Sequence, residues 1–164
     1  VNEPTRFDAR ELFAALARHG VDYVTIGGIA IQAHGGQRLT QDLDIAIGTS
    51  AENVQRLASA LVEIDARILG PDGQRSISTP SASLLASSDQ WHLMTVHGQL
   101  DVVTLPAHVG RFEDVRARAH ETPLGDVTVP IASRRDLVEM KRAAGRPQDL
   151  ADLELLEGLG DEEE

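Results

Sequence analysis

Asp42 and Asp44 stand one residue apart in the run Asp42-Leu-Asp-Ile-Ala-Ile47, whose apolar residues fall on alternate positions. A strand puts alternate side chains on opposite faces. Leu43, Ile45 and Ile47 therefore make a burying face, and the two acids share the other, roughly 7 Å apart along the chain. Like charges so placed repel, and burying them unpaired is costly. The pattern asks for a cation between them. Two hard oxygen ligands with open space suit Mg²⁺, which keeps several waters and takes further ligands from substrate phosphates.

The residues just upstream fit the same chemistry. Val21–Ile26 reads as a strand ending at Gly27-Gly28, followed by a short apolar helix containing Ile29, Ala30 and Ala33. Glycines at a strand-to-helix turn let backbone N–H groups approach a phosphate, and a helix N-terminus favours an anion. Arg38 and Thr40 then place a guanidinium and a hydroxyl ahead of the carboxylates. The spacing is not the dinucleotide fingerprint G-x-G-x-x-G. The run Gly27-Gly28, Arg38, Thr40, Asp42, Asp44 instead resembles the signature of the nucleotidyltransferase superfamily: a glycine pair, a helix, then T-x-D-x-D.

The elements that must position these groups can be traced along the chain. Phe7–His19 reads as a helix capped by Asp8 and stopped by Gly20. Ser50 caps a second, whose stripe is Val54, Leu57, Ala58, Leu61 and Val62. Gly70–Asp89 is rich in Pro, Gly and Ser and reads as a loop with one helical turn at 82–86, a candidate lid or substrate rim. Trp91–Val96 and Gln99–Leu105 read as strands joined at His97-Gly98. Asp101 is a lone acid in the second of them. Such an acid is usually paired or ligating, with a solvated strand edge as the alternative. Residues 111–120 read as an exposed helix and Asp126–Val129 as a short strand closing at Pro130.

The segment 133–156 carries the second set of chemical groups. Ser133 and Asp136 resemble a capping box, and Leu137, Met140, Lys141 and Ala144 recur at helical spacing. Lys141 thus lies on an apolar stripe, where it must snorkel out or meet an anion; the phosphates of a nucleotide are the expected one. Gly145 ends this helix and Pro147 starts the next. Asp149 and Asp152 fall near its N-terminus, anchored by Leu153 and Leu156. Asp149 alternatively serves only the helix dipole, and Asp152 alternatively sits in solvent. The segment 136–153, D-L-V-E-M-K-R-A-A-G-R-P-Q-D-L-A-D-L, resembles the closing motif of the AbiEii-like nucleotidyltransferases, a branch that includes abortive-infection and MenT-type toxins.

Composition bounds the rest. The chain has 164 residues, 41% hydrophobic but only 3% aromatic, so the core must be Leu, Val, Ile and Ala. It lacks cysteine, which excludes disulfides and thiolate metal sites. No run of about 18 apolar residues and no signal-peptide pattern occurs, which predicts a soluble, cytoplasmic protein without membrane contact. The net charge of −11 argues against a broad basic nucleic-acid surface. The six histidines show no metal-ligand spacing, His34 being placed for a helix-end polar role, and no G-x-S-x-G elbow is present.

These observations, with the resemblance, predict an α/β fold of the polymerase-beta-like nucleotidyltransferase type: a small mixed sheet with flanking helices over residues 1–158, and an acidic tail over 159–164. The resemblance implies transfer of a nucleoside monophosphate from an NTP to an acceptor hydroxyl with release of pyrophosphate. It implies Mg²⁺, or Mn²⁺ in its place, on Asp42, Asp44 and Asp101, the last coming from the adjacent strand. Gly27, Gly28 and Thr40 would cradle phosphates, Arg38 and Lys141 would neutralise them, and Asp149 and Asp152 would join Lys141 as residues needed for activity. The toxin branch implies the tRNA 3′ end as acceptor, reached through a local patch of Arg38, Arg134, Arg135, Arg142 and Arg146, and a cognate antitoxin as partner. Nucleotidyl transfer to a protein or to a small molecule such as an aminoglycoside, and a non-catalytic nucleotide- or partner-binding module, are the alternatives. Thr40 is a candidate regulatory position. If the strand extends to it, a phosphate there would add about −1.5 to −2 charges beside the carboxylates; alternatively its hydroxyl only bonds the turn or the NTP.

Overall fold

The computed structural model describes residues 5–160. Asp161–Glu164, most of the expected acidic tail, lie outside the described residues. In chain order the elements are α1 (Ala9–Arg18), β1 (Tyr23–Ile26), α2 (Gly27–Ala33), β2 (Asp42–Ile47), α3 (Ala51–Glu63), β3 (Arg67–Ile68), α4 (Ala82–Leu85), β4 (Gln90–Thr95), β5 (Gly98–Val103), α5 (Phe112–Arg118), β6 (His120–Leu124), β7 (Val127–Ile131), α6 (Arg134–Ala144) and α7 (Pro147–Glu157). The strands form one mixed sheet in the order β3-β4-β5-β2-β1-β7-β6. β2 runs parallel to β5 and β1 parallel to β7, while the other neighbours are antiparallel. This is the predicted α/β architecture, a mixed sheet with flanking helices. No helix among the described residues is long and apolar enough to cross a membrane.

Local chemistry sets the helix ends. Asp8 accepts the Glu11 N–H at 3.3 Å, Ser50 the Asn53 N–H at 3.1 Å, and Ser133 the Asp136 N–H at 3.1 Å, each satisfying an N-terminal donor that has no partner within its helix. Gly145 closes α6 in the left-handed region, φ 64°, a conformation that costs other residues more, and Pro147 opens α7. The core is aliphatic as expected: Leu12, Leu16, Leu43, Ile45, Leu57, Leu61, Leu93 and Leu100 are fully enclosed.

Several local expectations are corrected. The β4–β5 turn is Val96-His97, because Thr95 pairs with Gly98. Residues 119–120 are not helical; His120 opens β6, an edge strand that carries Pro123 where no ladder donor is needed. Its partner β7 continues through Pro130 to Ile131. β3 is a two-residue edge strand, too short to show a period. Val62, at the margin of the α3 stripe, is 68% exposed. At the C-terminus Arg134 donates to the carbonyls of Leu159 and Gly160, tying the start of the expected tail to α6.

Candidate active site

Register brings the three acids together. Asp44 lies opposite Ile26 on one side and Asp101 on the other. Asp42, Asp44 and Asp101 thus share one face of adjacent strands and offer oxygens all within 4.8 Å of one another. Asp101 is 8% exposed, so the solvated-edge alternative does not hold. Burial raises Asp44 to about 7, and repulsion from Asp42 and Asp101 adds to the rise. Burial also raises Asp42, against a hydrogen bond from Thr40. Three carboxylates gathered this closely could hold a divalent cation.

Gly27 and Gly28 are required by what they touch. Gly27 has φ +68°, and a Cβ there would lie 2.2 Å from Asp44 Oδ2. A Cβ on Gly28 would lie 2.9 Å from Arg38 Nη1 and from Thr40 Cβ. The glycine pair therefore lets the turn settle directly on the carboxylate, the guanidinium and the threonine. Thr40 itself precedes β2, so it does not share the carboxylate face through strand geometry. Its hydroxyl reaches Asp42 directly, donating to Oδ1 at 2.9 Å.

α6 and α7 close one side of the site with ion pairs. Lys141 Nζ lies 3.2 Å from Asp149 Oδ1 and 2.9 Å from Asp152 Oδ2, and Arg38 Nε donates to Asp152 Oδ1 at 2.7 Å. Arg146 donates to Asp149 from its backbone at 3.1 Å and from Nε at 2.7 Å. Asp149 and Asp152 are each 1% exposed, so neither sits in solvent. The anion that Lys141 meets is therefore a pair of carboxylates rather than phosphate alone. Its contact with Asp152 Oδ2 is an ion pair without hydrogen-bond geometry, and that oxygen is buried with no hydrogen-bond partner. Burial would raise Asp149, but the bonds from Arg146 and Lys141 outweigh it and hold the acid below its ordinary value. The positive charge of Lys141 also acts on Asp44, linking this layer to the acid cluster.

Five carboxylates (Asp42, Asp44, Asp101, Asp149, Asp152) face three cations (Arg38, Lys141, Arg146). Were all five ionised, the excess of two negative charges would equal the charge of one divalent ion. The residues present therefore fit Mg²⁺ or Mn²⁺ held by Asp42, Asp44 and Asp101.

Two neighbours of Asp101 escaped sequence reasoning. His92 Nδ1 lies 2.9 Å from Asp101 Oδ1, and Gln99 Nε2 donates to the same oxygen at 3.0 Å. Counting outward from the Thr95–Gly98 pair would have placed His92 opposite Asp101. Beyond Asp101 this sheet face is open, with Gln90 and His92 exposed. His34 caps α2 and approaches the Ala132 carbonyl at 2.8 Å, the helix-end role expected of it. A cleft of about 510 Å³ lined by Asp22, Asn53, Phe112, Arg116 and Glu121 lies at the other end of the β1–β2 pair, away from the acids.

No protein-family model and no curated protein matches the chain. Solved structures do. ANT(2'')-Ia in complex with adenylyl-2''-tobramycin is 14% identical, covers 93% of this chain and 87% of its own, and superposes with a TM-score of 0.59. The lincosamide antibiotic adenylyltransferase LnuA, lincomycin-bound, is 18% identical over 94% of this chain and 99% of its own, with a TM-score of 0.60. An antigenic nucleotidyltransferase-like protein from Paracoccidioides brasiliensis is 18% identical over 89% and 72%, with a TM-score of 0.54. The chain has the nucleotidyltransferase fold.

Proposed function

We propose that this protein transfers a nucleoside monophosphate from an NTP to an acceptor hydroxyl and releases pyrophosphate. The observation that carries the reading is the convergence of Asp42, Asp44 and Asp101 on one sheet face, with Arg38 and Lys141 on its flank. When bound at the three acids, Mg²⁺ or Mn²⁺ supplies Lewis-acid stabilisation of the attacking and leaving oxygens. The chain's own groups do the rest. The Gly27-Gly28 backbone and Thr40 seat the phosphates. Arg38 and Lys141 stabilise the charge that builds on the departing pyrophosphate. Asp149 and Asp152 hold those two cations, Asp101 completes the acid cluster with Asp42 and Asp44, and the acceptor's proton passes to solvent. The acceptor oxygen bonds to the α-phosphorus as the bond from that phosphorus to the β-phosphate oxygen breaks.

The acceptor that the charges favour is a small, hydroxyl-bearing molecule with amino groups. Of the five arginines expected to contact RNA, Arg38, Arg142 and Arg146 are already paired with carboxylates and Arg134 with backbone carbonyls, while Arg135 is exposed. The fold neighbours in complex with adenylyl-2''-tobramycin and bound to lincomycin support the same class. A second reading keeps the tRNA 3′ end as acceptor, with a toxin role and an antitoxin partner. It is favoured by the motif resembling the toxin branch, since Lys141, Asp149 and Asp152 form one buried network. The deciding experiment incubates the protein with each α-labelled NTP, Mg²⁺, and in turn an aminocyclitol and lincosamide panel, total RNA and total protein. Label on a small aminated acceptor, lost in Asp42→Ala, is expected. Label on tRNA-sized RNA that needs an intact 3′ end would favour the second reading. Nucleotide binding without transfer to any acceptor would point to a binding module.

A further inference from the structure

Asp101 is held differently from the other two acids. Asp42 is tied to Thr40, and Asp44 abuts Gly27, both within the run that carries the D-x-D strand. The donors on Asp101 come from β4 and β5. Gln99 precedes it by two residues on the same strand and face, and His92 is its partner across the hairpin. Both act on Oδ1, at 3.0 and 2.9 Å. The imidazole is half exposed, 51%, and has water within easy reach, yet it is seated on a carboxylate that is 11% exposed.

We infer that His92 and Gln99 are positioning residues for the third carboxylate: by binding Oδ1 from two directions they fix its rotamer beside Asp42 and Asp44. The inference rests on the reading of the three acids as a metal site. Without the two donors, repulsion from Asp42 and Asp44 would swing the Asp101 carboxylate about its terminal bond and out of the cluster. With them, the acid stays in place at the cost of a fixed rotamer. Partners that orient metal ligands in this way are typically worth about 10- to 100-fold in metal affinity. Neither residue needs to touch substrate to have this effect.

The test is Mn²⁺ titration of the full chain, followed by the electron paramagnetic resonance signal of the free ion, alongside thermal unfolding of the same samples. Asp101→Asn is the control for the site itself and should weaken Mn²⁺ markedly. His92→Phe and Gln99→Leu should each weaken it about 10-fold, and together about 100-fold. His92→Gln, which keeps a nitrogen donor, should recover much of the loss. In transfer assays the His92 and Gln99 variants should need more metal and regain kcat when it is saturating. If Asp101→Asn weakens Mn²⁺ binding while His92→Phe and Gln99→Leu leave it unchanged, the positioning role is overturned and the metal site stands. If native protein and Asp101→Asn bind alike, the metal-site reading fails and takes the inference with it. Should His92→Phe fail to fold, Gln99→Leu and His92→Gln decide the matter by the same readout.

Discussion

Replacing Asp44 by asparagine should stabilise the metal-free protein above neutral pH while abolishing transfer. Asp44 sits near 7 instead of 3.8, chiefly through burial and then through Asp42 and Asp101. A carboxyl that holds its proton more tightly folded than unfolded contributes stability at acid pH. That contribution is full below the unfolded value, near 4, and is lost as pH rises through about 7. The rise caps the effect at about 4 kcal/mol. Side-chain movement and an effective dielectric near 20 reduce it, so about 2 kcal/mol is the expected gain for Asp44→Asn at pH 8. For a chain of this length that is a Tm increase of about 4–8 °C. At pH 5 the gain should shrink to less than half. Asparagine is the right probe because it keeps the shape beside Gly27, where 2.2 Å separates Asp44 Oδ2 from a built Cβ. The assay is scanning calorimetry of chelator-dialysed protein across pH, repeated with Mg²⁺. Mg²⁺ should raise the Tm of the native chain most at high pH and that of the variant little. An equal Tm for the two proteins at pH 8, or a difference independent of pH, would refute the electrostatic account.

Lys141→Met should lower stability by about 3 kcal/mol, since removing one partner of a buried ion pair leaves charge uncompensated; chemical denaturation measures the loss, and nucleotide titration should show weaker NTP binding. Gly27→Ala should remain folded by circular dichroism yet transfer about 100-fold more slowly, because the left-handed turn is strained and the new methyl displaces Asp44. Thr40→Glu should be folded and inactive while Thr40→Ser retains transfer, the hydroxyl being 2.9 Å from Asp42 Oδ1; a fully active Thr40→Glu in the labelled-NTP assay removes Thr40 as a point of control by phosphorylation.

The parts of this molecule legible in its sequence are those that obey a period. Alternation exposed the shared face of Asp42 and Asp44, and the contrast of one acid among apolar neighbours exposed Asp101. Helical spacing placed Lys141 on the inner stripe of α6. Its partners were misjudged because Asp149 and Asp152 read as polar helix positions, and no hydrophobic pattern distinguishes a solvated acid from one buried against a lysine. Arg38 and Asp152 lie 114 residues apart in the chain and meet through tertiary packing alone. β3 and β6 were missed for another reason: a two-residue strand and an edge strand containing Pro123 carry too little repeat to read.

The buried network of α6 and α7 has a physical logic that follows from its modest energy. Two ionised groups taken out of water regain in attraction little more than they lose in solvation, so a buried pair is weak evidence of stabilisation. The same balance makes its cations easy to share. On the proposed reading, the phosphates of an NTP approach Lys141 and Arg38 as further anions beside Asp149 and Asp152. Lys141 meets Asp152 Oδ2 at 2.9 Å as an ion pair without a directed hydrogen bond. Asp149 is held below its ordinary value and stays ionised at neutral pH, which gives Lys141 a fixed anionic partner 3.2 Å away before substrate arrives. An apolar residue in place of either acid would leave the cations free to fall onto Asp44, whose field Lys141 already feels. On that reading the buried acids of α7 keep Lys141 and Arg38 off the carboxylates of Asp42, Asp44 and Asp101.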